Sequence, residues 1–257
     1  MNNREIKTSM FRYHYEFFAL FFSITLLLII GFILSLINIY LLIFLLILGV
    51  IYVQLTQAQY LGNAIRIYEN QFPEIYDIFK KHAIELKIHK AALYIVQNPV
   101  PNAYTLGITS CSVILTSGLV EQFTLKELNF TLAHELGHYK AGHTKISTLI
   151  QPLGSNNVFS SLIFGLWQRK TEYSADRCGL ILSKDLDSGI TALLKLSIGG
   201  KLFQDFNLKG YLEQIRKAQS TSVKLSEFLI DHPLTTNRIK NLLYFWKGNF
   251  TIKNELP

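Results

Sequence analysis

His134-Glu135-Leu136-Gly137-His138 places two imidazoles four residues apart with a carboxylate directly after the first. On a helix of 3.6 residues per turn, positions i and i+4 share a face, so both rings can reach one metal ion. Zinc is the ion such a pair suits, and Glu135 then lies beside it, where its carboxylate can take a proton from a bound water. The chemistry implied is hydrolysis by a metal-activated water.

The element that must position this motif is a helix, and the flanking residues specify one. Thr124 and Glu127 form a capping box, each side chain answering a free amide at a helix start. Leu128, Leu132 and Leu136 recur every four residues and give an apolar stripe that buries the segment, with His134 and His138 at its edge. The competing reading is a buried helix whose histidines only hydrogen-bond to neighbours.

A catalytic zinc needs a third protein ligand and one open position. His143 lies one residue too early for the spacing H-E-x-x-H-x-x-G-x-x-H, and Gly142 falls out of register, so His143 reads as an exposed residue just past the helix end. Glu172 and Asp176 are better placed. They again stand four apart, so one helix face carries both. Glu172 would complete a two-His, one-Glu site, and Asp176 would orient one of the imidazoles. The plainer alternative is a solvated acidic face paired with Arg169, Lys170 and Arg177.

With these residues in view, the chain resembles the HtpX-like and CaaX-prenyl-protease-type family of membrane-associated zinc metallopeptidases. Asn102-Ala103-Tyr104 is similar to the family's Asn-Ala-aromatic segment, which implies an edge strand that binds substrate backbone. Residues 113–119 (VILTSGL) resemble the strand and turn leading into the zinc helix. Asp231-His232-Pro233, followed by Arg238-Ile239, is similar to the C-terminal His-Pro and Arg-Ile signature; this implies an oxyanion-stabilising role for His232 and a supporting one for Arg238. The resemblance covers residues 57–243.

Residues 17–53 contain no charged residue or histidine. One helix over that stretch would reach about 55 Å, well beyond a hydrocarbon core of about 30 Å. The reading is therefore a transmembrane hairpin of two short spans, broken between residues 35 and 38. The chain divides into a basic tail (1–16), the hairpin (17–55) and a metallopeptidase domain (56–257). Arg4, Lys7 and Arg12 precede the first span, so the positive-inside rule puts both the tail and the catalytic domain in the cytoplasm; the HtpX resemblance implies the same arrangement, at a bacterial-type plasma membrane. A second apolar run near 158–167 is too short to span. The insert at 146–167 lies near the membrane, covers the cleft, or packs in the core; all three remain open here.

The net charge of +7 carries no aromatic-interleaved basic stripe, so nucleic acid is not an expected partner, and attraction to an anionic bilayer accounts for the excess. Cys111 and Cys178 do not argue for a disulfide, and Cys178 reads as a buried structural thiol. Residues 71–86 read as an amphipathic helix with Phe72, Ile75, Ile78, Phe79 and Ile84 inward; 91–96, 102–107 and 112–116 read as strands, and the rest is mostly helical. His14, His82 and His89 read as solvated. The fold class is α+β.

The function expected is that of a membrane-anchored zinc endopeptidase acting on protein or peptide substrates, in membrane-protein quality control, with one catalytic Zn²⁺ held by His134, His138 and Glu172 and with Glu135 as general base. The alternative is a catalytically silent membrane-bound zinc scaffold or peptide-binding module.

Overall fold

A computed structural model describes residues 6–150, 158–207, 210, 211, 213 and 233–251. The N-terminal apolar stretch forms one long helix, α1 (Glu16–Asn63), interrupted only where Asn38 takes an extended backbone (φ −161°, ψ 104°). The helix has two arms that meet at Asn38, the last residue of the expected break. Asn38 restarts the helix chemically: its Oδ1 accepts from the Leu41 amide at 3.0 Å, as an N-cap does. Glu16–Tyr52 is long and apolar enough to cross a membrane. Leu36, Ile37 and Tyr40 beside the interruption are 71%, 75% and 82% exposed, a surface that protein alone leaves uncovered.

After β1 (Ile65–Ile67) comes α2 (Pro73–Glu85), opened by Pro73 in the first turn, where its missing amide costs nothing. α2 buries Ile75, Phe79, His82 and Ala83, whereas Phe72 and Ile84 are exposed. His82 is thus a core residue rather than a solvated one, since it follows Ile75 by two turns. Its Nε2 lies 2.5 Å from Asn129 Oδ1, which supplies the partner a buried imidazole needs. His14 and His89 are exposed, as expected.

Three further strands, β2 (Ala91–Val96), β3 (Ala103–Leu106) and β4 (Cys111–Thr116), complete a mixed sheet of order β1-β2-β4-β3. β2 and β4 run parallel, with Leu93 beside Val113, while β3 pairs antiparallel with β4 and forms an edge. A short helix α3 (Ser117–Gln122) leads to α4 (Leu125–Ala141), whose start carries both hydrogen bonds of the Thr124–Glu127 capping box. The α4 stripe of Leu128, Leu132 and Leu136 is buried in one core with Phe79, Val113 and Leu193.

α4 ends at Gly142 in the left-handed region (φ 86°) and α5 (His143–Ile150) follows at once. α6 (Val158–Ser183) packs along α4, and α7 (Leu186–Ile198), the single turn α8 (Gly200–Phe203) and α9 (Thr235–Trp246) close the helical half. The described part of the 146–167 insert has a definite neighbour. Ile163, Phe164 and Trp167 are buried against Ala19, Leu20, Leu26, Leu27 and Ile30 of α1, with Ile146 beside them. The described part of the insert thus packs on α1. The architecture is mostly helical with a small mixed sheet.

Candidate metal centre and active site

α4 and α6 cross closely because Gly137 offers no side chain: a Cβ there would come within 2.7 Å of the Cys178 Cβ. This approach brings the α4 histidines against the α6 carboxylates. His134 Nε2 and His138 Nε2 are 3.1 Å apart, with Glu172 oxygens 3.6 Å from the first and 3.4 Å from the second. One donor atom from each of the three residues lies within 4.8 Å of the others. Two imidazole nitrogens and a carboxylate, converging at the wall of a cavity, fit a zinc ion that keeps one position open. Glu172 and Asp176 are buried, 8% and 0% exposed, so the solvated acidic face is not what forms.

The remaining nitrogen of each histidine faces a second polar group. His134 Nδ1 lies 3.0 Å from Asp176 Oδ1. Burial drives the Asp176 carboxyl upward, but the Arg238 charge, its hydrogen bonds and His134 outweigh that and hold it below the usual carboxylate range. Arg238, from α9, also places Nη1 3.1 Å from Glu172 Oε2. Sequence reasoning ranked Arg238 only as supporting; it touches both α6 carboxylates.

His143 is the clearest correction. It is 2% exposed, not solvated, because the start of α1 lies over it. Its Nδ1 is 3.0 Å from His138 Nδ1, on the ring side away from the donor cluster, and its Nε2 is 3.0 Å from Glu16 Oε1. Burial holds its pKa down to about 4, so the ring is neutral. Glu16 went unread in the sequence, since no local pattern links it to a residue so distant in the chain.

Glu135 is 7% exposed, and the Thr105 hydroxyl on β3 lies 2.8 Å from its Oε2 and 3.1 Å from its carbonyl oxygen. Thr105 was also missed; a lone threonine one residue past the Asn-Ala-Tyr segment carries no signal of its own. Asn102, Ala103, Tyr104, Thr105, Glu135 and Arg238 line the same cavity of about 230 Å³, together with the three donor residues. The sheet edge and the metal cluster therefore share one cleft. His232 lies outside the described residues. Cys111 and Cys178 are buried free thiols, and burial pushes the Cys111 thiol up to about 12, which leaves it unreactive at neutral pH.

Comparison with known proteins places the chain in a family. The model of peptidase family M48 matches residues 69–245, which contain the whole cluster. The chain belongs to peptidase family M48. Among its relatives is the plastoglobule-localized metallopeptidase 48 of Arabidopsis thaliana, 30% identical over 211 residues, which are 74% of this chain and 61% of that protein. A protease HtpX homolog of Tropheryma whipplei is 31% identical over 145 residues, 53% of this chain and 50% of the homolog. Another, from Streptococcus uberis, is 25% identical over 231 residues, 71% of this chain and 76% of that protein. The chain thus aligns with between half and two thirds of the first two relatives. Within peptidase family M48, these similarities make the chain HtpX-like.

Proposed function

We propose that this M48 peptidase is a membrane-anchored zinc endopeptidase. The observation that carries the reading is Glu135, held by Thr105 in the same cleft as the convergent His134, His138 and Glu172 donors. These three residues would hold the ion, and zinc bound there lowers the pKa of a coordinated water toward about 7 and polarises a carbonyl. Glu135 accepts the proton of the attacking water and returns it to the leaving amine. Thr105 orients the carboxylate for both transfers. Asp176 stands where its carboxylate can accept a hydrogen bond from Nδ1–H of His134, leaving Nε2 for the metal.

The substrate backbone adds as a strand beside Asn102, Ala103 and Tyr104, on the edge that β3 forms. By the family resemblance His232 donates to the developing oxyanion.

The anchor is read as a hairpin of two spans. In support, Arg12 holds the carbonyl at the end of α4 while β1, just past α1, pairs with β2, so both ends of α1 join the catalytic part. A straight helix of 48 residues would instead separate its ends by about 72 Å. The break at Asn38 supplies the reversal. With basic residues before the first arm, the catalytic part faces the cytoplasm; by the HtpX resemblance, membrane proteins awaiting quality control are the substrate class.

The test is casein cleavage by detergent-purified wild type and Glu135→Gln, with bound zinc counted in each. Cleavage by the wild type alone, with zinc in both, is the expected result. Equal cleavage by the two proteins sinks the assignment of Glu135, and absence of zinc from both sinks the metal site.

A further inference from the structure

Each α4 histidine has a carboxylate behind it, but the two are reached differently. Asp176 stands directly behind His134. Behind His138 stands His143, and behind His143 stands Glu16, the first residue of the apolar helix. If His138 gives Nε2 to a metal, its proton must sit on Nδ1, and a proton there requires an acceptor. His143 Nδ1 is that acceptor at 3.0 Å. His143 then carries its own proton on Nε2, 3.0 Å from Glu16 Oε1. The donors run in one direction, from His138 through His143 to a carboxylate.

Glu16 is built into this place. It is 2% exposed, and a buried carboxylate persists only when its charge and lone pairs are answered. Arg12 Nη1 donates to Oε1 at 2.7 Å and the Ser174 hydroxyl to Oε2 at 2.5 Å. Arg12 Nη2 also donates to the Ala141 carbonyl at 2.6 Å, one of the free carbonyls at the end of α4. The Tyr13 amide donates to Ser174 Oγ at 2.8 Å. The segment entering the anchor is thus tied to α4, α5 and α6 by side chains that meet at one carboxylate.

We propose that Glu16 and His143 are positioning residues for the ligand His138, so that seating the first turn of the apolar anchor on the catalytic part completes the metal centre. The inference rests on reading His134, His138 and Glu172 as a zinc site. The anchor then does more than tether the enzyme: it supplies the far end of a hydrogen-bonded chain that fixes one ligand's tautomer and orientation. Loss of such an outer partner typically weakens metal binding by about 10- to 100-fold.

The experiment measures zinc affinity by chelator competition in the full-length, detergent-purified protein, for wild type, Glu16→Gln, Glu16→Ala, His143→Ala, Asp176→Asn, Glu16→Ala with His143→Ala, and Glu16→Ala with Asp176→Asn. Glu16→Ala and His143→Ala should each weaken zinc about 10- to 100-fold. Because they act on one chain, the double variant should be no worse than about the weaker single, whereas Glu16→Ala combined with Asp176→Asn should show the product of the two losses. Glu16→Gln keeps an acceptor oxygen of the same shape and should recover part of the affinity. The cobalt-substituted proteins give a second readout at saturating metal: the visible bands of Glu16→Ala should move from the wild-type positions, since His138 has become a weaker donor. Variants that only loosened the fold would lower the unfolding midpoint yet leave the bands in place, and that result overturns the inference. So do wild-type affinities in both Glu16→Ala and His143→Ala. Absence of zinc and cobalt binding in the wild type overturns the zinc reading itself, a separate outcome.

Discussion

Arg238 grips Asp176 with two hydrogen bonds, Nε to Oδ2 at 2.8 Å and Nη2 to Oδ1 at 2.6 Å. The third guanidinium nitrogen leans on Glu172, so one planar cation from α9 pairs with two buried carboxylates one helical turn apart. This lets Asp176 stay ionised behind His134 and keeps Glu172 from repelling it.

Arg238→Ala should therefore destabilise the protein by about 3–5 kcal/mol, because it strands buried charge rather than merely deleting a contact. Arg238→Lys should recover only part of this, since an ammonium cannot span both carboxylates with a fixed fork. Urea unfolding of the metal-free proteins checks the order wild type, Lys, Ala. Equal midpoints for Lys and wild type would contradict the two-carboxylate role.

Thr105 holds Glu135 from the sheet edge. Thr105→Val keeps the shape and removes the donor. Hydrogen bonds to charged groups contribute about 1.5–3 kcal/mol, so kcat on a fluorogenic casein substrate should fall at least about tenfold with bound zinc unchanged. An unchanged kcat would show that Glu135 needs no such orientation.

Gly137→Ala would favour the helix by propensity alone, by up to about 1 kcal/mol. The new methyl would instead meet Cys178, Cβ at 2.7 Å and Sγ at 2.9 Å. Overpacking of that kind costs about 1–3 kcal/mol, and here it also pushes α4 from α6. The expected outcome is a lower thermal midpoint together with weaker zinc binding, measured on the same preparation. A gain in stability would mean the two helices part without cost.

Asp185 caps α7, its Oδ1 accepting from the Ser188 amide at 3.0 Å and its Oδ2 from the Ser188 hydroxyl at 2.8 Å. The amide bond foremost, with that hydroxyl, holds the carboxyl below its usual pKa despite partial burial. A depressed folded-state pKa gives stability that is present above the ordinary Asp value near 3.9 and is lost as pH falls through the folded value. Asp185→Ala should lower stability at pH 7 by about 0.5–2 kcal/mol, the usual worth of a cap. The gap to wild type should narrow on acidification below about pH 4. Denaturant titrations at pH 7 and at low pH test the sign, and a gap that widened in acid would refute it.

What could be read from the chain alone was whatever is local. The HELGH spacing, the Thr124–Glu127 box and the leucine stripe act within one helix, where residue spacing translates directly into direction. The Glu172 and Asp176 pairing was legible for the same reason, and the resemblance to a known family supplied the link between the two helices. The apolar character of residues 17–53 was equally plain, as was a weak point near Asn38.

Tertiary structure alone decided which groups stand behind the His134 and His138 rings. Glu16 and His143 are 127 residues apart, and Arg238 lies 62 positions beyond Asp176. No periodicity reaches across such distances. His143 looked solvated because it follows a helix-ending glycine, and it became buried because the start of α1 docks over that end. The 146–167 insert held three readings until its aromatic face met α1. A sequence states which side chains one element presents together; the packing of elements, set by buried surface and by the need to answer every buried charge, determines what they meet.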